Sequence, residues 1–108
     1  MINPFSAVPT ITCKELKEAQ KTETPPIIID VRELDEWNTG HLDSAVHAPL
    51  MSIKKEIEHV VPDKNKEIVL CCASGGRSRA AVKMLLQLGY KHVKNLQGGL
   101  CAYQQMGK

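Results

Sequence analysis

Two short stretches of this chain, Ile27-Ile28-Ile29-Asp30-Val31 and Glu67-Ile68-Val69-Leu70-Cys71, are apolar almost without interruption. A strand with one wet face alternates polar and apolar residues, so an unbroken run of this kind marks a strand covered on both sides. Helical patterns fill the intervals, over residues 13–21, 33–38, 53–59 and 79–88. Strands alternating with helices predict an α/β fold, a mostly parallel sheet with helices on both faces.

The local signals agree with that plan. Residues 9–12 suit a short edge strand. Thr12-Cys13-Lys14-Glu15 has the capping-box pattern that opens a helix. Gly40 is placed to stop the helix at 33–38, and residues 45–48 read as a brief strand before Pro49. Ser52 is expected to cap the helix at 53–59, with Ile53, Ile57 and Val60 on one face. In the helix at 79–88, Arg79, Lys83 and Gln87 form a narrow polar stripe and the rest is apolar, which buries it against the sheet. Residues 92–96 read as the last strand, and Gly98-Gly99 breaks it before a final short helix to about residue 105.

At 108 residues the chain fits a single domain, 1–108, with its core at about 10–107. A net charge of +2 is too small to point to nucleic acid or a membrane surface. Residues 1–9 lack a basic start and an apolar run, so no secretory leader is expected, and no stretch is long enough to cross a bilayer. The four cysteines, Cys13, Cys71, Cys72 and Cys101, form no metal-ligand spacing with each other or with the scattered histidines. No metal or cofactor is expected. Reduced thiols in the cytoplasm fit this composition.

The chemistry concentrates in Cys72-Ala73-Ser74-Gly75-Gly76-Arg77-Ser78. Cys72 stands where a buried strand ends and a Gly-rich turn hands the chain to a helix. The first N–H groups of a helix have no intrahelical partner and carry the positive end of its dipole. Gly75 and Gly76 can both take the backbone angles that curl N–H groups into an anion-binding nest. A thiolate at such a mouth is stabilised and its pKa falls, and the same donors suit a negatively charged substrate or a persulfide. Reactive cysteine chemistry is favoured over a structural Cys72. In open parallel sheets, sites form beyond the carboxyl ends of the strands, so Asp30, Arg32 and Cys72 are expected at one edge.

These residues also resemble a known pattern. Asp30-Val31-Arg32, Glu36-Trp37, Gly40-His41-Leu42 and Ala45 are similar to the N-terminal signature of the rhodanese family. The Cys72 loop resembles that family's active-site loop. Gly98-Gly99 with Ala102-Tyr103 is similar to its C-terminal signature, where Trp is more usual than Tyr. The likeness runs over residues 10–107.

The resemblance implies a three-layer α/β/α domain with a five-stranded sheet, and a sulfurtransferase that works through a Cys72 persulfide. The implied partners are thiosulfate or another small sulfur donor, a thiol or cyanide acceptor, and a protein persulfide as a further candidate. Amides of residues 73–78 (Ala73, Ser74, Gly75, Gly76, Arg77, Ser78) would cradle the persulfide. Spacing separates this loop from related phosphatases and arsenate reductases, which use Cys-x5-Arg for a tetrahedral oxyanion. Here Arg77 gives Cys-x4-Arg, and by resemblance the shorter loop suits a sulfur atom better than a phosphate.

Individual residues carry narrower expectations. Arg77 is read as a contact to the anionic donor, and Ser78 mainly as a helix cap. Arg32 and Glu36, four apart, are expected to pair with each other, and with Asp30 to support the loop. His41 is read as a structural hydrogen-bonder, Trp37 as core or rim packing, and His47 has no assigned role. Cys71 is expected to point away from the pocket. Cys101 is read as core packing, with a resolving thiol as its alternative. The competing function is a rhodanese-like regulatory or redox-sensing binding module.

Overall fold

A computed structural model describes residues 8–106. Residues 1–7, which bear on the leader, and Gly107, at the expected end of the core, lie outside the described residues. In chain order the elements are β1 (Thr10–Ile11), α1 (Cys13–Ala19), β2 (Ile27–Asp30), α2 (Leu34–Asn38) and β3 (Val46–His47). Then follow α3 (Leu50–Val60), β4 (Glu67–Cys71), α4 (Gly76–Gln87), β5 (His92–Leu96) and α5 (Gly99–Met106). The strands form one five-stranded sheet in the order β1-β5-β4-β2-β3. Every pairing is parallel, more uniform than the mostly parallel sheet expected.

The two apolar runs lie side by side at the middle of this sheet, with Ile28 opposite Val69 and Ile29 opposite Leu70. Alternation along them feeds two cores. Ile29, Val31, Ile68, Leu70 and Cys72 pack with Ile53 and Ile57 of α3 and Ala81, Val82 and Leu85 of α4. Ile28, Val69 and Cys71 face the other way, against Leu16 of α1 and Leu100 of α5. Both faces are covered, so neither run needs a polar face. Each such buried aliphatic side chain contributes about 1.5–3 kcal/mol of transfer free energy.

Two helices begin earlier than the sequence signals place them. In α3 the N-cap is Pro49, and Ser52 donates its hydroxyl to the Pro49 carbonyl instead of capping. The Leu50 amide is satisfied by the Val31 carbonyl, so the helix turns as soon as the chain leaves β3. In α4 the N-cap is Gly75, with φ at +108°, and the helix already runs at Gly76. By contrast α1 stops at Ala19, short of the expected residue 21, while its Thr12–Glu15 capping box forms as the sequence indicates.

The join between β5 and α5 fixes the far side of the Cys72 loop. Gly98 and Gly99 both have positive φ, and a Cβ on Gly99 would lie 2.5 Å from the carbonyl oxygens of Cys72 and Ala73. That close approach lets Leu100 N–H donate to Cys72 O and Cys101 N–H to Ala73 O, at 2.8 and 3.0 Å. Gly99→Ala is therefore expected to cost at least about 2 kcal/mol, from the left-handed backbone and the overlap together. A urea melt of the variant with an unchanged midpoint would contradict this account of the join.

Candidate active site

Cys72 follows the last residue of β4, and its side chain is almost wholly buried beneath the start of α4. The Gly75 and Ser78 amides donate to Sγ at 3.2 and 3.4 Å. The Ser78 hydroxyl lies 3.4 Å from the same sulfur. Burial pushes the Cys72 thiol up, but the Ser78 hydroxyl and the amides of Ser78, Gly75 and Ser74 outweigh it, and the pKa falls below the ordinary thiol value. A sulfur anion here is held by fixed donors with little room for water.

The nest differs in detail from the sequence expectation. Gly75 alone of the two loop glycines is left-handed, whereas Gly76 has ordinary helical geometry and open space where a Cβ would sit. Nor does Ser78 cap the helix. It is the third helical residue, buried, with its hydroxyl near Gly75 O and hydrogen-bonded to the side chain of Asn95. Asn95 Nδ2 in turn donates to Gly75 O at 3.1 Å.

Asn95 is the residue that sequence reasoning missed. Its signal was a polar side chain at an inward position of β5, two residues after buried Val93. Through Ser78 and Gly75 it fixes the turn that aims donors at Cys72.

The charged residues pair differently from the expected scheme. Asp30, fully buried, accepts from the Arg32 amide at 3.0 Å and from its guanidinium at 2.8 to 3.1 Å. Arg32 also donates to Gly40 O at 2.8 Å, which ties the end of β2 to the end of α2. Glu36 does not pair with Arg32. Its carboxylate takes a two-pronged bridge from Arg77, at 2.6 and 2.9 Å. The spacing of four failed as a guide because Arg32 lies before α2 begins, where helical periodicity does not apply.

That bridge adds to the reading of Arg77, whose guanidinium fork is engaged by Glu36 in this structure. The Arg77 guanidinium, with the Glu33 amide, holds the Glu36 carboxyl down at about 2. A carboxylate whose folded pKa is depressed stabilises the fold above its unfolded value, and that contribution is lost as pH falls toward about 2.

Trp37 is stacked between two imidazoles, with ring centroids 3.5 Å from His41 and 4.8 Å from His47. His47 Nε2 lies 2.8 Å from the Arg32 carbonyl, so this histidine, unassigned from sequence, braces the same corner. Cys71 faces the α1–α5 layer, and burial with the nearby Asp30 charge pushes its thiol up. Cys101 is exposed, not core, because α5 turns its third residue outward at the loop.

Residues 12–106 match the model of the Rhodanese-like domain family. This chain belongs to that family. Among its rhodanese-like relatives, the candidate sulfurtransferase YtwF of Bacillus subtilis is 37% identical over 94 residues, 87% of this chain and 88% of YtwF. The thiosulfate sulfurtransferase PspE of Escherichia coli is 37% identical over 70 residues, 65% of this chain and 67% of PspE. Other relatives are longer. The chain spans 50% of the candidate sulfur carrier protein YrkF of Bacillus subtilis and about a quarter of tRNA uridine(34) hydroxylases from Buchnera aphidicola. Among solved structures, the rhodanese-related protein of Thermoplasma volcanium superposes with a TM-score of 0.81 at 27% identity, over 93% of this chain and 94% of that one.

The two loop glycines give a test of this geometry. Gly76→Ala is expected to leave stability within about 0.5 kcal/mol of wild type or to raise it, since alanine favours a helix. Gly75→Ala is expected to cost about 1–2 kcal/mol, because its backbone is left-handed. Equal effects in paired denaturation curves would contradict the asymmetry.

Proposed function

We propose that the protein is a sulfurtransferase that carries a sulfane sulfur on Cys72, from thiosulfate or another persulfide donor to a thiol or cyanide. The observation that supports this most is the convergence of the Gly75 and Ser78 amides on Sγ of a buried cysteine. Those donors suit a sulfur anion before transfer and the terminal sulfur of a persulfide after it.

In the first half-reaction the Cys72 thiolate attacks the outer sulfur of the donor. A new S–S bond forms at Sγ, and the donor's own S–S bond breaks. With thiosulfate, sulfite leaves with the bonding pair, so charge balances without a proton. In the second half-reaction cyanide or a thiolate attacks the terminal sulfur and restores the Cys72 thiolate. No general base is required, because the loop itself favours the ionised thiol.

Relatives named as sulfurtransferases support the reaction class. A reducing cytoplasm is the setting that keeps Cys72 as a thiolate. Among the described residues no helix is long and apolar enough to cross a membrane.

Intact-protein mass after exposure to thiosulfate, and separately to a small persulfide, tests the reading. Wild type is expected to gain one sulfur atom that cyanide removes as thiocyanate. Cys72→Ser is expected to gain none, and Cys71→Ser to behave as wild type. Failure of wild type to gain sulfur from either donor would instead leave the regulatory or redox-sensing module as the better reading.

A further inference from the structure

The bridge between Glu36 and Arg77 joins two segments 41 positions apart. Arg77 supplies the only charged side chain of residues 72–78. It directly precedes Ser78, whose amide donates to Cys72 Sγ at 3.4 Å, in the first turn of α4, so it belongs to the same loop as the sulfur. A sulfonate approaching Sγ would find in Arg77 a natural partner, since a guanidinium fork matches paired oxygens. Glu36 already occupies that fork. The neighbouring guanidinium, Arg32, is engaged by Asp30 and the Gly40 carbonyl. Glu33 and Asp35, exposed on either side of Leu34, add negative charge to the same short segment.

A dianionic donor therefore meets an arginine whose charge Glu36 already balances, on a segment that carries further exposed carboxylates. It must displace Glu36 or bind without the arginine, and either route weakens binding. Displacement is within reach because the paired side chains of Arg77 and Glu36 are 38% and 33% exposed, so water already competes with the bridge. A persulfide donor needs no such contact, as it presents its outer sulfur without a sulfonate.

We propose that Glu36 is a specificity-determining positioning residue, which by holding Arg77 turns the site away from thiosulfate and toward persulfide donors that lack a sulfonate. The proposal rests on Cys72 as the sulfur acceptor. With such a donor, Sγ bonds to the outer sulfur, the donor's S–S bond breaks, and its thiolate leaves with the electron pair.

The test compares Glu36→Gln and Glu36→Asp with wild type. Glutamine keeps an oxygen for the Glu33 amide but removes the charge, whereas aspartate keeps the charge. Steady-state rates are measured with thiosulfate and with cysteamine persulfide, whose ammonium group balances its terminal sulfur. Thiosulfate binding is measured by calorimetry in Cys72→Ser and in the Cys72→Ser/Glu36→Gln double variant, which needs no turnover.

Glu36→Gln is expected to lower KM for thiosulfate roughly fivefold, the scale of one partly exposed charge interaction. The preference for thiosulfate over cysteamine persulfide should rise in proportion, binding in the double variant should tighten, and Glu36→Asp should stay near wild type. If sulfur is taken up but the donor ratio and thiosulfate binding do not move, or both donors weaken alike, the assignment to Glu36 is overturned. If wild type takes up sulfur from neither donor, the reading of Cys72 is overturned, and with it the donor preference.

Discussion

The hydrogen bonds from the start of α4 to Cys72 Sγ are the interaction on which the rest of this structure converges. They require a strand that ends at residue 71, a helix that begins at residue 76, and a turn between them held to a fraction of an ångström. Each requirement has a separate support. The central position of β4 fixes the strand. Ala81, Val82 and Leu85, packed on the sheet, fix the helix. Asn95 fixes the turn through Gly75 O and Ser78, and the close approach of Gly99 holds its outer side. A buried sulfur anion would be costly without these donors.

Much of this was legible in the sequence because it depends on local pattern. Unbroken apolar runs identified the two central strands, and the Gly-rich turn between strand and helix singled out Cys72, which the structure places under the first amides of α4. Cys71 and Cys72 were separable by strand alternation alone, and they do enter opposite layers. What was not legible depends on contacts between distant segments. The meeting of Glu36 with Arg77 arises only once α2 and α4 are brought to one edge, and no periodicity records it. Ser78 looked like a cap because a positive φ at Gly75, which moves the helix start forward, has no sequence signal beyond the glycine itself. Cys101 was read as core because a free cysteine is usually buried, whereas this one, the third residue of α5, is exposed.

The two ion pairs at this edge have different physical characters. Asp30 and Arg32 are buried and multiply hydrogen-bonded, so the pair fixes the corner between β2 and α2. Removal of one partner from such a pair costs about 3–5 kcal/mol, because the other charge is left buried. Glu36 and Arg77 are partly exposed and open to competition from solvent and from anions. One pair is architecture. The other, as we propose, adjusts which donors approach the sulfur.

The most direct measurement of the central claim is the pH titration of the Cys72 thiolate by ultraviolet absorbance, as a difference between wild type and Cys72→Ser. An unperturbed thiol titrates near 8.5. The donors on Sγ predict a midpoint below that value, and Ser78→Ala should move it upward while the fold is kept. A wild-type midpoint at or above the unperturbed value would show that burial outweighs the loop's hydrogen bonds, and would contradict the account of Cys72 as a stabilised sulfur anion.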